Sequence, residues 1–394
     1  MRLDSLSILQ LNSAAGLAGG EQVFLDLCRG LATRGHRVGA VVRTNGALLN
    51  ALREADVEIT LARRRAGLGL LSGLRLARII DSRGWQVLNA HTPPDYVLAA
   101  LARRLSSSRP KLVLTRHILL PLGRSLLHKW ALGSADAFVA VSNAVKETLE
   151  NHPFIDASKV RTIWNGIDVE KFVPDGTRSL REQLGVEENE PLVGILGDIS
   201  PHKGQEAFVK AALLLGSGGG ACPALRPTIQ GAASNTPTMG AKFVVAGPCK
   251  AKNRPYLERL VSVVKTEGLS SHVRFIDRVS DMPDAMRSLD VMVLASEAEP
   301  FGLVTVEAMA CGCAVIATRS GASSEIVTDR RDGLLVKPGS HEAIADAIEA
   351  LLKDEALRTR LCEQARQTAV QKFTLTRNID EIEGLFRELC EQDE

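Results

Sequence analysis

The sequence predicts an α/β protein built as two doubly wound domains facing a cleft, and three observations carry that expectation. Its 394 residues exceed what one hydrophobic core usually holds. Short apolar runs alternate with helix-length segments throughout, the pattern of parallel sheets covered by helices on both faces. The runs also fall into two series, separated by the turn-forming stretches Asn165-Gly-Ile-Asp168 and Pro174-Asp-Gly176.

The first series comprises strand-like runs at 7–12, 37–42, 86–90, 111–115, 137–142 and 160–164, and the second runs at 192–197, 242–246, 272–276, 290–295, 314–318 and 333–336. The expected domains are therefore residues 1–173 and 174–374. Within the second, 216–240 contains Gly-Ser-Gly-Gly-Gly and several prolines without periodicity, and reads as a flexible insertion, with a flap over a binding site as the alternative. The last segment, 375–394, has Ile379, Ile382, Leu385, Phe386 and Leu389 on one helical face. Ligands in open parallel sheets bind beyond the carboxyl ends of the strands, so two such domains set face to face place the site in the cleft.

A net charge of +2 hides an asymmetry: up to Asp175 there are 23 Lys and Arg against 15 Asp and Glu, a surplus of +8, and beyond it 25 against 31, or −6. A basic front half suits an anionic partner or surface, or reflects scattered charges. Arg63, Arg64 and Arg65 precede a stretch, 68–80, in which leucines and isoleucines alternate with Arg75 and Arg78. It reads either as a helix packed on the sheet or as one lying on an anionic bilayer. The seven cysteines lack metal-site spacing and read as reduced, buried thiols. With no leader and no spanning apolar window, the expectation is a cytoplasmic protein able to touch a membrane surface, with no nucleic-acid partner.

The chemistry concentrates in Ser296-Glu-Ala-Glu-Pro-Phe-Gly-Leu-Val-Thr-Val-Glu-Ala-Met-Ala-Cys-Gly-Cys313, which follows an apolar run. A strand feeds a turn at Pro300 to Gly302 and then a helix from about Leu303 that stops at Gly312. The helix start offers unpaired backbone N–H groups and the positive end of a dipole, suited to hydroxyl and phosphate oxygens. Glu299 in the turn and Glu307 one helical turn beyond Leu303 bracket that position; solvated glutamates on an ordinary strand-turn-helix unit are the plainer alternative.

This block resembles the glutamate-x7-glutamate signature of retaining glycosyltransferases of the large family 4 (group 1) type, whose GT-B fold has two Rossmann-like domains. The resemblance covers nearly the whole chain outside 216–240. It implies an acceptor-side first domain, a nucleotide-sugar-binding second domain, and a final helix that crosses back to the first. It further implies that Glu299 holds donor-sugar hydroxyls, that the backbone at Phe301, Gly302 and Leu303 assists, and that Glu307 holds the nucleotide ribose.

Other positions follow from the same likeness. Ala18-Gly-Gly-Glu21 opens a helix after the first strand, and Gly19 and Gly20 let backbone amides approach a diphosphate or sugar; a turn that merely needs positive φ is the alternative. In Asp198-Ile-Ser-Pro-His-Lys203-Gly204, Lys203 neutralises charge on the leaving phosphate. The family's usual arginine is replaced by Asp198, an acid that needs His202, Arg278 or another arginine to offset it, or that caps the next turn. His91 and His117 follow strands, the latter near the donor sugar in the family, with His91 and Arg116 on the acceptor side; structural or solvated histidines are the alternative.

The expected function is transfer of a hexose-type sugar from a nucleoside diphosphate sugar, a UDP-sugar by family frequency, to a hydroxyl of a glycan, glycolipid or lipid-linked acceptor. The resemblance implies retention at the anomeric carbon, no metal and no further cofactor. Asp198 keeps open a sugar-nucleotide-binding module without turnover, and the scaffold keeps open a sugar-nucleotide epimerase.

Overall fold

The computed structural model describes residues 5–14, 16, 18–44, 47–62, 69–216 and 240–392. They form two compact units, one of Met1–Gly166 with Thr374–Glu394 and one of Ile167–Phe373.

The first unit has a parallel sheet of β1 (Ser7–Asn12), β2 (Arg37–Arg43), β3 (Glu58–Ala62), β4 (Val87–Ala90), β5 (Lys111–Arg116), β6 (Ala137–Ala140) and β7 (Val160–Thr162), in the order β3-β2-β1-β4-β5-β6-β7. Every residue of β4 and β6 is buried, as expected of strands covered on both faces, and this is why they read as short apolar runs. The sequence pattern missed β3. It is an edge strand paired with β2 alone, and its first residue, Glu58, binds Arg37 at 2.6 Å and Arg83 at 3.0 Å rather than entering the core. An edge strand half open to water needs no continuous apolar run.

The second unit repeats the winding with β8 (Leu192–Leu196), β9 (Lys242–Ala246), β10 (Val273–Ile276), β11 (Val291–Leu294), β12 (Ala314–Thr318) and β13 (Leu334–Val336), in the order β10-β9-β8-β11-β12-β13. Phe208, Phe243, Val245, Val293, Ile316 and Ile348 anchor its core. Cys311 and Cys313 are buried there as free thiols, and burial pushes the Cys311 thiol up to about 12.

The units divide at Gly166, before the boundary expected near 174. Pro174-Asp-Gly176 leads into a segment bound wholly within the second unit, where the Asp284 carboxylate accepts from the Thr177 and Ser179 hydroxyls at 2.6 and 2.8 Å. The chain leaves the first unit at Gly166 and returns at Thr374. A side chain at 166 would place its Cβ 2.3 Å from the Thr374 carbonyl oxygen, so only glycine permits that approach. The final helix, Leu375–Glu391, belongs to the first unit: Ile379, Ile382, Leu385, Phe386 and Leu389 enter its core, and Arg34 binds Asp380 and Glu383 at 2.7 and 2.9 Å.

Arg63, Arg64 and Arg65 lie outside the described residues, as does the 216–240 insertion apart from Gly216 and Gly240. No helix among the described residues is long and apolar enough to cross a membrane.

Candidate functional site

In the second unit the strand order reverses between β8 and β11, the position where a parallel sheet opens a crevice at its carboxyl end. The exits of these two strands are bound tightly together. Gly204 has φ +73°, and a Cβ there would lie 2.0 Å from the Ala295 carbonyl oxygen, so the β8 exit can lie against the β11 exit only with glycine. The Glu297 N–H donates to the His202 carbonyl at 3.0 Å.

This apposition sets Lys203 Nζ 2.8 Å from Glu299 Oε2. The same carboxylate oxygen accepts from the Ser296 hydroxyl at 2.8 Å, and the Glu299 carbonyl accepts from the Ala322 N–H at 2.8 Å. Glu299 is 6% exposed, so its carboxylate is a desolvated, oriented group rather than a solvated turn residue. Ser296 begins the sequence block, yet its role was not read there. A hydroxyl directly after the apolar run 291–295 was the available signal, and in the structure Ser296 is fully buried.

Beyond Glu299, Phe301 is buried edge-on against Phe373, and Gly302 turns the chain with φ +99° into the helix Leu303–Ala310, which no side chain caps. Leu303, Val304 and Glu307 are the helix residues that are not fully buried. Leu303 and Glu307, four apart, share that open face, as the spacing predicts.

Asp198 leaves the same crevice. Its carboxylate meets Lys250 Nζ at 2.7 Å, and Lys250 comes from the segment after β9. The offsetting charge is thus a lysine, not His202 or Arg278; Ser200 is within 3.4 Å of His202 Nε2, and Arg278 is exposed. Sequence distance hid this pairing. The β8 and β9 exits run parallel through an Ile199–Cys249 bridge, a tertiary fact with no local pattern.

In the first unit the order reverses between β1 and β4. His91, just past β4, and His117, just past β5, stack at 5.2 Å between ring centroids, with His91 Nδ1 2.9 Å from His117 Nε2. His91 Nε2 lies 2.8 Å from Gln10 Oε1 and 3.1 Å from Asn89 Nδ2, and the Thr115 hydroxyl donates to Asn89 Oδ1 at 2.8 Å. Phe24 closes one side edge-on, 4.9 Å from His91. Burial lowers both histidines, with each also repelled by a neighbour: His91 falls well below its ordinary value, and His117 to about 4. Both are neutral at pH 7, and their hydrogen bonds depend on tautomers rather than charge.

Gln10 and Asn89 were not singled out from sequence. They pair across the β1–β4 register and are fully buried, a polar residue inside each of two apolar strands. Arg116 is also buried, and its guanidinium donates to the Leu120 carbonyl. Gly19 and Gly20 open the helix Gly19–Thr33 in helical conformation, so neither is there for a positive φ. A Cβ on Gly20 would meet only His117, at 3.8 Å, which leaves the backbone at this helix start uncrowded.

The two switch points, one with a lysine paired to a buried glutamate and the other with a neutral histidine pair, sit in an α/β protein of two Rossmann-like units, the GT-B fold. Comparison with known proteins gives the family. Residues 17–171 match the model for Glycosyltransferase Family 4, and residues 177–368 that for Glycosyl transferases group 1. Among curated relatives, the N-acetyl-alpha-D-glucosaminyl L-malate synthase of Bacillus anthracis is 24% identical over 391 residues, covering 96% of each chain. The alpha-maltose-1-phosphate synthase of Mycobacterium tuberculosis is 29% identical over 305 residues, covering 71% of this chain and 73% of its own. Among solved structures, Anabaena Alr3699/HepE in complex with UDP and glucose superposes with a TM-score of 0.82 at 24% identity, covering 97% of this chain and 100% of its own, a likeness of fold. The chain belongs to the group 1 glycosyltransferases and is an enzyme of glycosyl transfer.

Proposed function

We propose that the enzyme transfers a hexose-type sugar from a nucleoside diphosphate sugar to an acceptor hydroxyl, on a glycan, glycolipid or lipid-linked molecule, with retention at the anomeric carbon. The observation that carries this is the Lys203–Glu299 pair at the reversal point of the second unit, steadied by Ser296. A carboxylate held with one oxygen occupied by Lys203 and Ser296 has its other oxygen for sugar hydroxyls. The ammonium at its side is a preorganised countercharge for a leaving phosphate. Glu307, on the open face of the next helix, suits ribose hydroxyls. The UDP and glucose in the Anabaena structure make a UDP-hexose the first donor to test.

In the reaction the bond from the anomeric carbon to the diphosphate oxygen breaks, and its electron pair goes to the diphosphate, whose charge Lys203 offsets. The acceptor oxygen bonds to the same face of that carbon, and its proton passes to the leaving phosphate, so no side-chain nucleophile is required. His117, neutral and held by His91, takes the role of a hydrogen-bond partner to a substrate hydroxyl, with Gly19 and Gly20 presenting backbone and with His91 and Arg116 acceptor-side. No divalent metal or further cofactor enters this scheme.

Calorimetry against a panel of nucleotide sugars, followed by a nucleotide-release assay with and without acceptor, tests the reading. Release that depends on acceptor and survives chelator is the expected result. Binding without release on any acceptor would instead make the chain a binding module, and donor conversion without acceptor an epimerase.

A further inference from the structure

Eight of the eleven large apolar side chains exposed among the described residues fall between Leu61 and Trp130, all in the first unit. Their placement is not scattered. The helices Leu70–Arg83, Pro93–Leu105 and Leu126–Gly133 follow β3, β4 and β5 in turn, and the middle one packs against both others. The first turn of Leu70–Arg83 packs on the last turns of the middle helix, Gly73 against Leu101 and Leu105. The exposed leucines sit at the starts of the two outer helices. Leu70 and Leu71, the first residues of one helix, are 60% and 73% exposed; Leu126 and Leu127, the first of another, are 84% and 46% exposed. Leu120, in the segment leading to the second of these helices, is 69% exposed, and Trp130 shares a helical face with Leu126 four residues away.

A set of leucines this exposed is costly in water and is more than scattered surface residues require. Charge identifies the kind of partner. Arg75, Arg78, Arg104, Arg124 and Lys129 are exposed on or beside these helices. The only acids in the three helices are Asp81 and Asp95. Asp95 is 4% exposed, and Asp81 accepts from the Ser106 and Ser108 hydroxyls at 2.6 and 3.1 Å. From His117 to Gly133 there is no acidic residue at all. Exposed leucines with a tryptophan, set among basic residues that outnumber the one exposed acid of these helices, Asp81, combine the two signals of a peripheral membrane surface.

We propose that the exposed face of these helices docks on an anionic lipid bilayer, with Leu126, Leu127 and Trp130 entering the headgroup region and Arg75, Arg78, Arg124 and Lys129 facing lipid phosphates. A second copy of this chain is disfavoured as occupant, because two like basic faces would repel.

The test is sedimentation of the full chain with vesicles of equal parts phosphatidylglycerol and phosphatidylcholine, alongside pure phosphatidylcholine. Binding to the mixed vesicles that weakens in high salt is expected, and Leu126→Ser with Leu127→Ser should lower partitioning about tenfold. Brominated lipids should quench fluorescence from Trp130, and Trp130→Phe should remove the quenched fraction, since Trp85 is 1% exposed and the half-buried Trp164 lies outside these helices. No binding by the parent chain overturns the proposal. So does binding that is indifferent to the leucine pair or leaves Trp130 unquenched, which would locate attachment elsewhere. Apolar self-association that rises with protein concentration and is abolished by the same substitutions would make this face an interface between copies and equally overturn it. None of these readouts depends on which donor or acceptor the enzyme uses.

Discussion

The two units solve one topological problem with opposite electrostatics. Each winds strands to either side of its first strand, so the sheet reverses between β1 and β4 in one and between β8 and β11 in the other. At the first reversal the structure buries two histidines, which burial keeps neutral, in a network of amides and hydroxyls. At the second it keeps a full ion pair, Lys203 with Glu299, on a carboxylate that is 6% exposed. The topology therefore fixes where a site lies, and the residues at the strand exits decide what it does: hydrogen bonding without charge in one unit, charge held in reserve in the other.

Removing the reserve charge should have the largest effects. Glu299→Ala deletes the proposed sugar-binding carboxylate and leaves Lys203 without its partner, so kcat/KM should fall about 10³-fold or more, with circular dichroism unchanged. Near-normal turnover by the folded variant removes Glu299 from the donor site. Lys203→Ala should lower kcat by roughly 10²- to 10³-fold, the scale of losing one preorganised donor to developing charge. Its effect should fall on kcat more than on KM, because the lysine meets most of its charge only as the sugar–phosphate bond breaks. A change confined to KM would assign Lys203 to ground-state binding instead.

The neutral pair predicts a different signature, visible in stability. A histidine whose folded-state value is lowered to about 4 remains unprotonated while its unfolded counterpart, near 6.5, takes up a proton. The unfolded chain binds more protons throughout that window, so stability is full above about pH 6.5 and is lost as pH falls toward 4, by about 2–3 kcal/mol for His117. All three tryptophans lie in the first unit, so their fluorescence in urea reports on that unit alone. The slope between pH 7 and 5 should shrink in His117→Asn. An unchanged slope would place the acid sensitivity in other groups.

The sequence made the helices and most strands legible because buried parallel strands are apolar throughout and stop at turn residues. It failed at Glu58–Ala62, where an edge strand has one side in water and its first glutamate in ion pairs. The Glu299 to Glu307 block was legible for a related reason: strand, glycine turn and helix are contiguous, so spacing alone puts Leu303 and Glu307 on one face. Gln10 and Lys250 were not. Gln10 meets His91 across 81 positions, and Lys250 meets Asp198 across 52, through strand neighbours that only the sheet order brings together. The contacts divide the units at Gly166 rather than near 174, because Arg366 and Arg287 from the second unit bind the Phe172 and Val173 carbonyls.

The smallest expected effect concerns that last pair, where an acid stands at the position of a customary arginine. Lys250 is 64% exposed and Asp198 29%, so the bond between them is worth about 1 kcal/mol or less, and neither Lys250→Ala nor Asp198→Asn should change stability by more than that. Their effects on donor binding should have opposite signs. Asp198→Asn removes a negative charge near the proposed phosphate site and should tighten the donor about two- to threefold, while Lys250→Ala should weaken it by a similar factor, the scale of a charge interaction across water rather than of a direct contact. The ratio should shrink as salt is raised, which calorimetry in a salt series reads directly. If Asp198→Asn weakens the donor tenfold instead, the acid contacts the ligand itself, and the second unit's switch point would use a carboxylate where the ion pair Lys203–Glu299 now suffices to explain it.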